Sequence, residues 1–307
     1  MLVITCASGK QASSFVPSLL SSNVGPLRLV VNSSSSEDRL KSQYSSVEVL
    51  RADLSKPDDC QKVIKGATIL YHVNPSFHHA EIEIGKHIVD AAVAEAQQGH
   101  FKHFVFSSVI QTQLQKLLNH DVKRYVEEYL MESGLNYTIL KPTTFTDNFK
   151  PALIGLVKDA DGGKKDLTFT APWDAEVFFS EVALKDLGEA SYKVITEGSK
   201  HYFASYDLAS TMPEPWRTKV DILADELGVK IDIQTGAVQE VVPKFMKSLL
   251  GTDQPHRITT DTAERMILYY NRHGIIGNPN VLEMIIGRKA TSTQEWVREQ
   301  IAQCRSS

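Results

Sequence analysis

Met1-Leu2-Val3-Ile4-Thr5-Cys6-Ala7-Ser8-Gly9-Lys10-Gln11-Ala12 opens the chain: a short apolar run, a turn of small residues, then a helical pattern near 10–22. A strand feeding such a turn leaves the first N–H groups of the helix unpaired, and the helix dipole favours an anion beside them. The dinucleotide form of this motif carries three glycines. Here Gly9 alone remains, Ala12 takes the third position, where close helix–strand packing is the requirement, and Cys6 stands where the chain must turn tightly. The stretch reads either as a phosphate-binding turn built from Cys6, Ser8, Gly9, Lys10 and Gln11, or as a plain strand–helix connection.

Moving outward, the same alternation continues. Strands are expected at Leu2–Cys6, Leu27–Asn32, Val47–Leu50, Thr68–His72, His103–Ser107 and Tyr137–Leu140, each short and apolar as in a sheet covered on both faces. Helical spacing fills 57–65, 79–98 and 115–133, with Gly134 placed to end the last. Strand–helix–strand repetition implies right-handed crossovers and a doubly wound parallel sheet, the Rossmann architecture. Beyond Pro142 the alternation loosens. Residues 159–165 read as a loop, helices are expected near 182–196, 214–227, 238–250, 258–273 and 292–303, and short strands at 167–171, 201–204 and 229–233. The expected organisation is a dinucleotide-binding domain over 1–150 and a smaller, mostly helical substrate lobe over 151–307, set against the carboxyl edge of the sheet.

Composition narrows the function classes. The 307 residues carry Lys+Arg 33 against Asp+Glu 37, a net charge of -4, so nucleic acid is not an expected partner. Hydrophobic residues make up 42% and mean hydropathy is -0.20, yet no run approaches the ~18 apolar residues of a membrane span. Three scattered cysteines (Cys6, Cys60, Cys304) without a Cys-x-x-Cys pair argue against a disulfide framework or zinc and suit a reducing cytosol. The N-terminus runs straight into a strand with no basic leader, so a cytoplasmic protein is expected.

Ligands of open α/β sheets bind at the carboxyl ends of the strands, which defines the candidate cofactor residues. The second strand ends at Asn32, followed by Ser33-Ser34-Ser35-Ser36, where an NAD site would place an acid on the ribose 2′-hydroxyl. With no acid there, and with Arg39 and Lys41 shortly after, the pattern favours the 2′-phosphate of NADP over NAD; the same two cations also read as solvated helix charges. Asp53 and Leu54 end the third strand, Asp53 either accepting from an adenine or starting the Ser55 turn. His72 and Asn74 end the fourth.

With Phe104-Val-Phe-Ser-Ser-Val109, His120-Asp-Val-Lys-Arg-Tyr-Val-Glu-Glu-Tyr-Leu130, Gly134-Leu-Asn-Tyr-Thr-Ile-Leu-Lys-Pro142, Gly277-Asn-Pro-Asn-Val-Leu282 and Gly287-Arg-Lys-Ala-Thr-Ser292, the sequence resembles the NmrA-like family of atypical short-chain dehydrogenases, its fungal members in particular. The resemblance implies NADP binding and either of two activities: a redox-sensing regulator of other proteins, or a reductase of aromatic or secondary-metabolite substrates. It also implies that Lys123 is the lysine of the clan's Tyr-x-x-x-Lys, near the nicotinamide ribose. The tyrosine position is then Asn119, which has no titratable proton. His120 shares that helix face and is a candidate proton donor near neutral pH, or a plain helix-end histidine. Ser107 and Ser108 match the catalytic-serine position, or simply cap the turn. Pro142, Thr143 and Phe145, after the sixth strand, complete the cofactor-lining set.

Other apparent motifs are set aside. Tyr137 and Lys141 have the dyad spacing but lie on a strand, about 13 Å apart at roughly 3.3 Å per residue. His78-His79 and His100…His103 lack acidic or cysteine partners at ligand spacing, so no metal is expected. Cys6 reads as an inert small residue. Phe145, Phe149, Trp173, Phe178 and Phe179 are candidates for an apolar cleft or for core. Three functions remain in play: an NADP-dependent reductase of a small or polycyclic organic substrate, an NADP-sensing regulatory protein with a protein partner, and a cofactor-free isomerase or cyclase.

Overall fold

The structure is a computed structural model, and it describes residues 1–22, 24–250 and 255–306. Its first half alternates strands and helices: β1 (Leu2–Ile4), α1 (Lys10–Ser21), β2 (Leu27–Val31), α2 (Ser34–Gln43), β3 (Glu48–Arg51), α3 (Pro57–Ile64), β4 (Ile69–Val73), α4 (Glu81–Gln97), β5 (His103–Ser107), α5 (Leu118–Glu132) and β6 (Tyr137–Pro142). There follow β7 (Thr144–Phe145), α6 (Lys150–Asp161), β8 (Asp166–Ala171), β9 (Phe178–Phe179), β10 (Glu181–Val182), α7 (Leu184–Glu197), β11 (Ala204–Leu208), β12 (Glu214–Pro215), α8 (Thr218–Leu227) and β13 (Lys230–Thr235). The chain ends in α9 (Val238–Leu250), α10 (Arg257–His273), α11 (Asn280–Ile286) and α12 (Thr293–Ser306).

The chain separates into two compact units. The first comprises Met1–Gln115, Asn119–Pro142 and Leu187–Asp207; the second comprises Lys116–Leu118, Thr143–Asp186 and Leu208–Ser307. The first holds a seven-stranded sheet in the order β11-β6-β5-β4-β1-β2-β3, and its pairs from β3 to β6 run parallel. This is the doubly wound Rossmann-like order, whose direction reverses between β1 and β4. Runs such as Leu-Arg-Leu-Val-Val and His-Phe-Val-Phe-Ser sit in the sheet because both faces are covered. On one face Val3, Val30, Phe104 and Phe106 pack with Ile84 and Ile88 of α4 and Val126 and Leu130 of α5 in one core.

Several elements depart from the sequence reading, among them α11 and the two-residue strands β7, β9, β10 and β12, which it did not include. The serine run, for which no element was expected, opens α2: Ser33 caps it, accepting from the Ser36 N–H (3.3 Å), and Glu37 and Lys41 pair one turn apart (2.7 Å). Residues 150–161 form α6, burying Leu153, Leu156 and Val157 at helical spacing, so the expected loop begins later. The strand expected at 201–204 lies further on, as β11 over Ala204–Leu208, the seventh strand of the main sheet, while Gly198–His201 forms a helical turn. The second unit is built from helices and small sheets, among them β8 and β13, paired in parallel.

Candidate functional site

Among the described residues, three of the four non-glycine residues with positive φ lie after β1, β4 and β5: Cys6 (φ 47), Phe77 (φ 64) and Gln111 (φ 58). Strain of this kind concentrates at functional sites, and here it follows the carboxyl ends of the strands around the point where strand order reverses. Cys6 adopts the conformation the missing first glycine would have taken freely. Its Cβ is tolerated, the Ala7 N–H donates to the Val30 carbonyl (3.0 Å), and the Gly9 N–H donates to the Cys6 carbonyl (2.9 Å). A Cβ on Gly9 would stand 3.1 Å from that carbonyl oxygen. Burial, and secondly the charge of Glu81, push the Cys6 thiol up to about 12, which disfavours its thiolate. Gly9 caps α1 without any side-chain bond to the first turn, as an anion-receiving helix start requires. Arg39 lays its guanidinium on the Ser8 carbonyl (3.1 Å), while Lys10 and Asn32 are exposed.

Gln11 and Ser107 are brought together beneath this turn. Ser107 Oγ donates to Gln11 Oε1 (2.9 Å), Gln11 Nε2 donates to the Tyr71 hydroxyl (2.6 Å), and that hydroxyl is 2.8 Å from Ser191 Oγ. The set is buried and ties α1 to β4, β5 and α7.

A second buried chain runs from β1 to α5. Thr5 Oγ1 lies 2.9 Å from His72 Nδ1, and His72 Nε2 lies 2.6 Å from Asn74 Oδ1. Asn74 Nδ2 donates to the Glu81 carbonyl (3.2 Å), and the Glu81 carboxylate holds the Lys123 ammonium at 2.5 Å. The other Glu81 oxygen accepts from the strained Phe77 N–H (3.2 Å). Burial pushes the Glu81 carboxyl up, with Lys123 pulling against it, and burial takes His72 down to about 4, a neutral ring. Lys123 also donates to the Asn119 carbonyl (3.2 Å). An ammonium has three donors, so these two bonds leave one for a ligand.

Along α5 the residues Asn119, Lys123 and Glu127 repeat at i, i+4 and i+8 on one face. Glu127 accepts from Ser108 Oγ and from Thr112 Oγ1 (3.2 Å) and pairs with Lys141 (2.8 Å). The Ser108 proton is therefore spent on Glu127. His120 is fully buried, and its Nδ1–H donates to the Ile110 carbonyl (2.8 Å); burial, then the Lys123 charge, bring it to about 4. The sequence suggested a charged donor near neutral pH; burial makes this imidazole neutral there. Asn119 Oδ1 is buried with no partner among the described residues.

The remaining candidates are dispersed. Ser33 is committed to capping α2. Asp53 is exposed, with its carboxylate on the Ser55 N–H (3.1 Å) and hydroxyl (2.6 Å), so it builds the turn; the Ser55 bonds hold it below the usual carboxylate range. Leu54 is buried and its carbonyl accepts from the Cys60 thiol (3.3 Å). Pro142 is buried at the end of β6, its carbonyl accepting from the Ile110 N–H (3.0 Å). Thr143 and Phe145 belong to the second unit, where Thr143 Oγ1 is buried without a partner among the described residues and Phe145 is half-buried on β7. In that unit Phe149 and Phe179 are core, Trp173 stacks on Phe179 (5.0 Å), and Phe178 is exposed. Glu81 and Glu127 escaped the sequence reading. Glu127 carried a signal, one turn beyond Lys123 on the same face; Glu81 carried none, being 42 residues from its partner. Among the described residues no group of three His, Cys, Asp or Glu is placed to hold a metal ion, and no helix is long and apolar enough to cross a membrane.

The parallel sheet, its reversal of strand order and the glycine-capped helix starting there define the class: a Rossmann-type α/β protein. Residues 1–255 match the model of the NmrA-like family, and the chain belongs to that family. No curated protein matches the sequence. Among solved structures, the NADPH-dependent quinone oxidoreductase of Escherichia coli in complex with NADPH is 19% identical with a TM-score of 0.76, covering 97% of this chain and 99% of its own. The triphenylmethane reductase of a Citrobacter species in complex with NADP(H) is 20% identical with a TM-score of 0.74 over 97% and 99%. NmrA, a negative transcriptional regulator, is 15% identical with a TM-score of 0.71 over 98% and 96%.

Proposed function

We propose that the protein is an NADP(H)-dependent reductase of a small or polycyclic conjugated organic acceptor, with the dinucleotide on the first unit. The observation that carries this reading is Lys123, buried on α5, fixed by two bonds and holding one donor in reserve. The residues fit the cofactor: α1 starts at Gly9 without a side-chain cap, a Cβ at Gly9 would crowd Cys6, and the buried Asn119 Oδ1 lacks a donor. The α1 turn would hold the pyrophosphate and Lys123 the nicotinamide ribose. Arg39, laid over the Ser8 carbonyl, supplies the cation for a 2′-phosphate, whereas the acid nearest the end of β2, Glu37, is occupied by Lys41. The cofactor would supply the hydride.

The acceptor class follows from where the side-chain protons are spent. Asn119 has no titratable proton, Ser108 donates to Glu127, and His120 is neutral with Nδ1–H on a carbonyl. Such a site suits acceptors that spread or cancel charge themselves, such as quinones or cationic conjugated systems, better than simple ketones. The same arrangement supports a second reading, a dinucleotide-sensing regulator whose partner is another protein. The free thiols of Cys6, Cys60 and Cys304 suit a reducing, cytoplasmic setting.

Calorimetric titration with NADPH and NADH tests the cofactor. NADPH is expected to bind at least about tenfold more tightly, a difference of ~1.4 kcal/mol, and Arg39→Ala to abolish that preference. Equal affinities in the wild type would remove the 2′-phosphate assignment. Oxidation of bound NADPH by quinones or cationic dyes supports the reductase, and binding without turnover across both classes supports the sensor.

A further inference from the structure

We propose that Glu81 is the positioning residue of the site: it pairs with the buried Lys123 ammonium and fixes it, with the third N–H free for a ribose hydroxyl. The inference rests on the dinucleotide reading above. An ammonium as buried as Lys123, 6% exposed, is tolerated only beside a counter-charge, and Glu81, 2% exposed, is the carboxylate in contact with it. Glu81 is itself fixed from three sides. Its carboxylate takes the Phe77 N–H, its carbonyl takes the Asn74 amide, and Asn74 is braced through His72 to Thr5 at the end of β1. The orientation of Lys123 is thereby referred to β1 and β4, the strands that flank the phosphate turn.

The pair also answers an electrostatic problem. The Glu81 charge reaches Cys6 in that turn, where a pyrophosphate would be repelled by an uncompensated carboxylate. Lys123 neutralises it. Other groups facing the pair are His120 and Glu127 on α5, Cys6 in the turn after β1, His72 behind Asn74, and Lys141 on β6 behind Glu127. With Cys6 pushed up to about 12 and both histidines down to about 4, those three do not titrate between pH 7 and 10.

The test compares wild type, Glu81→Gln, Lys123→Met and Glu81→Gln/Lys123→Met. Without Glu81 a buried lysine has a folded-state pKa below its unfolded value, so the unfolded chain binds more protons and stability rises with pH. The melting-temperature deficit of Glu81→Gln should therefore shrink from pH 7 to 10. That of the double variant should not change. Lys123→Met gives the mirror result and covers failure of the first variant to fold: its unpaired carboxyl makes its stability fall as pH rises from 5 to 8. In titrations with NADPH, wild-type affinity should stay within about threefold between pH 7 and 9.5, while that of Glu81→Gln should drop roughly tenfold or more, matching a roughly tenfold fall in the charged fraction of the unpaired amine.

A pH-independent deficit in both single variants would overturn the pairing, and a flat NADPH affinity in Glu81→Gln would overturn the positioning role. A wild type that binds no NADPH would instead sink the dinucleotide reading and the ribose role with it, while the melting curves still judge the pair.

Discussion

Cys6 holds a left-handed backbone with a side chain that glycine would not impose. Cys6→Gly should raise stability by about 0.5–1 kcal/mol, the relief of αL strain less the added freedom of the unfolded chain. It should also leave NADPH affinity equal or tighter. Urea denaturation and titration check this, and a marked loss of affinity would mean the Cβ or sulfur makes a contact with the ligand. The identity of this residue was readable as a hazard in the sequence, but the sign of its φ was not. Lys123 and Asn119 were placed by the motif they resemble, and the structure sets them on one helix face. What Ser108 and His120 do with their protons was beyond the sequence, because Glu127 and the Ile110 carbonyl reach them only through the fold.

Helices α4 and α5 meet at Gly85, where a Cβ would stand 2.7 Å from Val126 Cγ1. Gly85 is one turn beyond Glu81, and Val126 nearly one turn beyond Lys123, so this close approach is what lets the two charges touch. Gly85→Ala should cost about 1–3 kcal/mol through overpacking and should weaken NADPH binding by spreading the pair. A variant that loses stability but keeps wild-type affinity would show that the pair tolerates the displacement. At this scale the sequence was most legible where one period dominated: β5 was read as His103–Ser107, and it is His103–Ser107. The serine-rich α2 was missed because its stability comes from a cap and an ion pair rather than from an apolar stripe; only Leu40 is buried. β11 was missed as part of the main sheet because strand order is a property of pairing, not of local pattern.

Over the whole molecule, His72, His103 and His120 share one physical condition. Each is buried, and burial is the first cause that takes each down to about 4. The unfolded chain therefore binds more protons between pH 6.5 and 4, so their contribution is full above pH 6.5 and is lost as pH falls toward 4, up to about 3 kcal/mol each. Urea midpoints should fall steeply from pH 7.5 to 4.5; a constant midpoint would show that these rings accept protons without leaving the native structure.

The first unit closes only when Leu187–Asp207 joins it, bringing Ser191 to Tyr71 and setting Gly188 where a Cβ would lie 2.7 Å from Ser14 Oγ. During synthesis, at roughly 5–20 residues per second, the N-terminal strands must wait for this late segment to leave the ribosome. The nascent sheet lacks its edge strand β11 and the cover of α7 for that interval. A chain arrested at residue 150 should therefore be captured by chaperones and cut readily by protease, whereas one arrested well past residue 207 should resist. The return of the chain thus makes the order of translation part of how this protein reaches its native state.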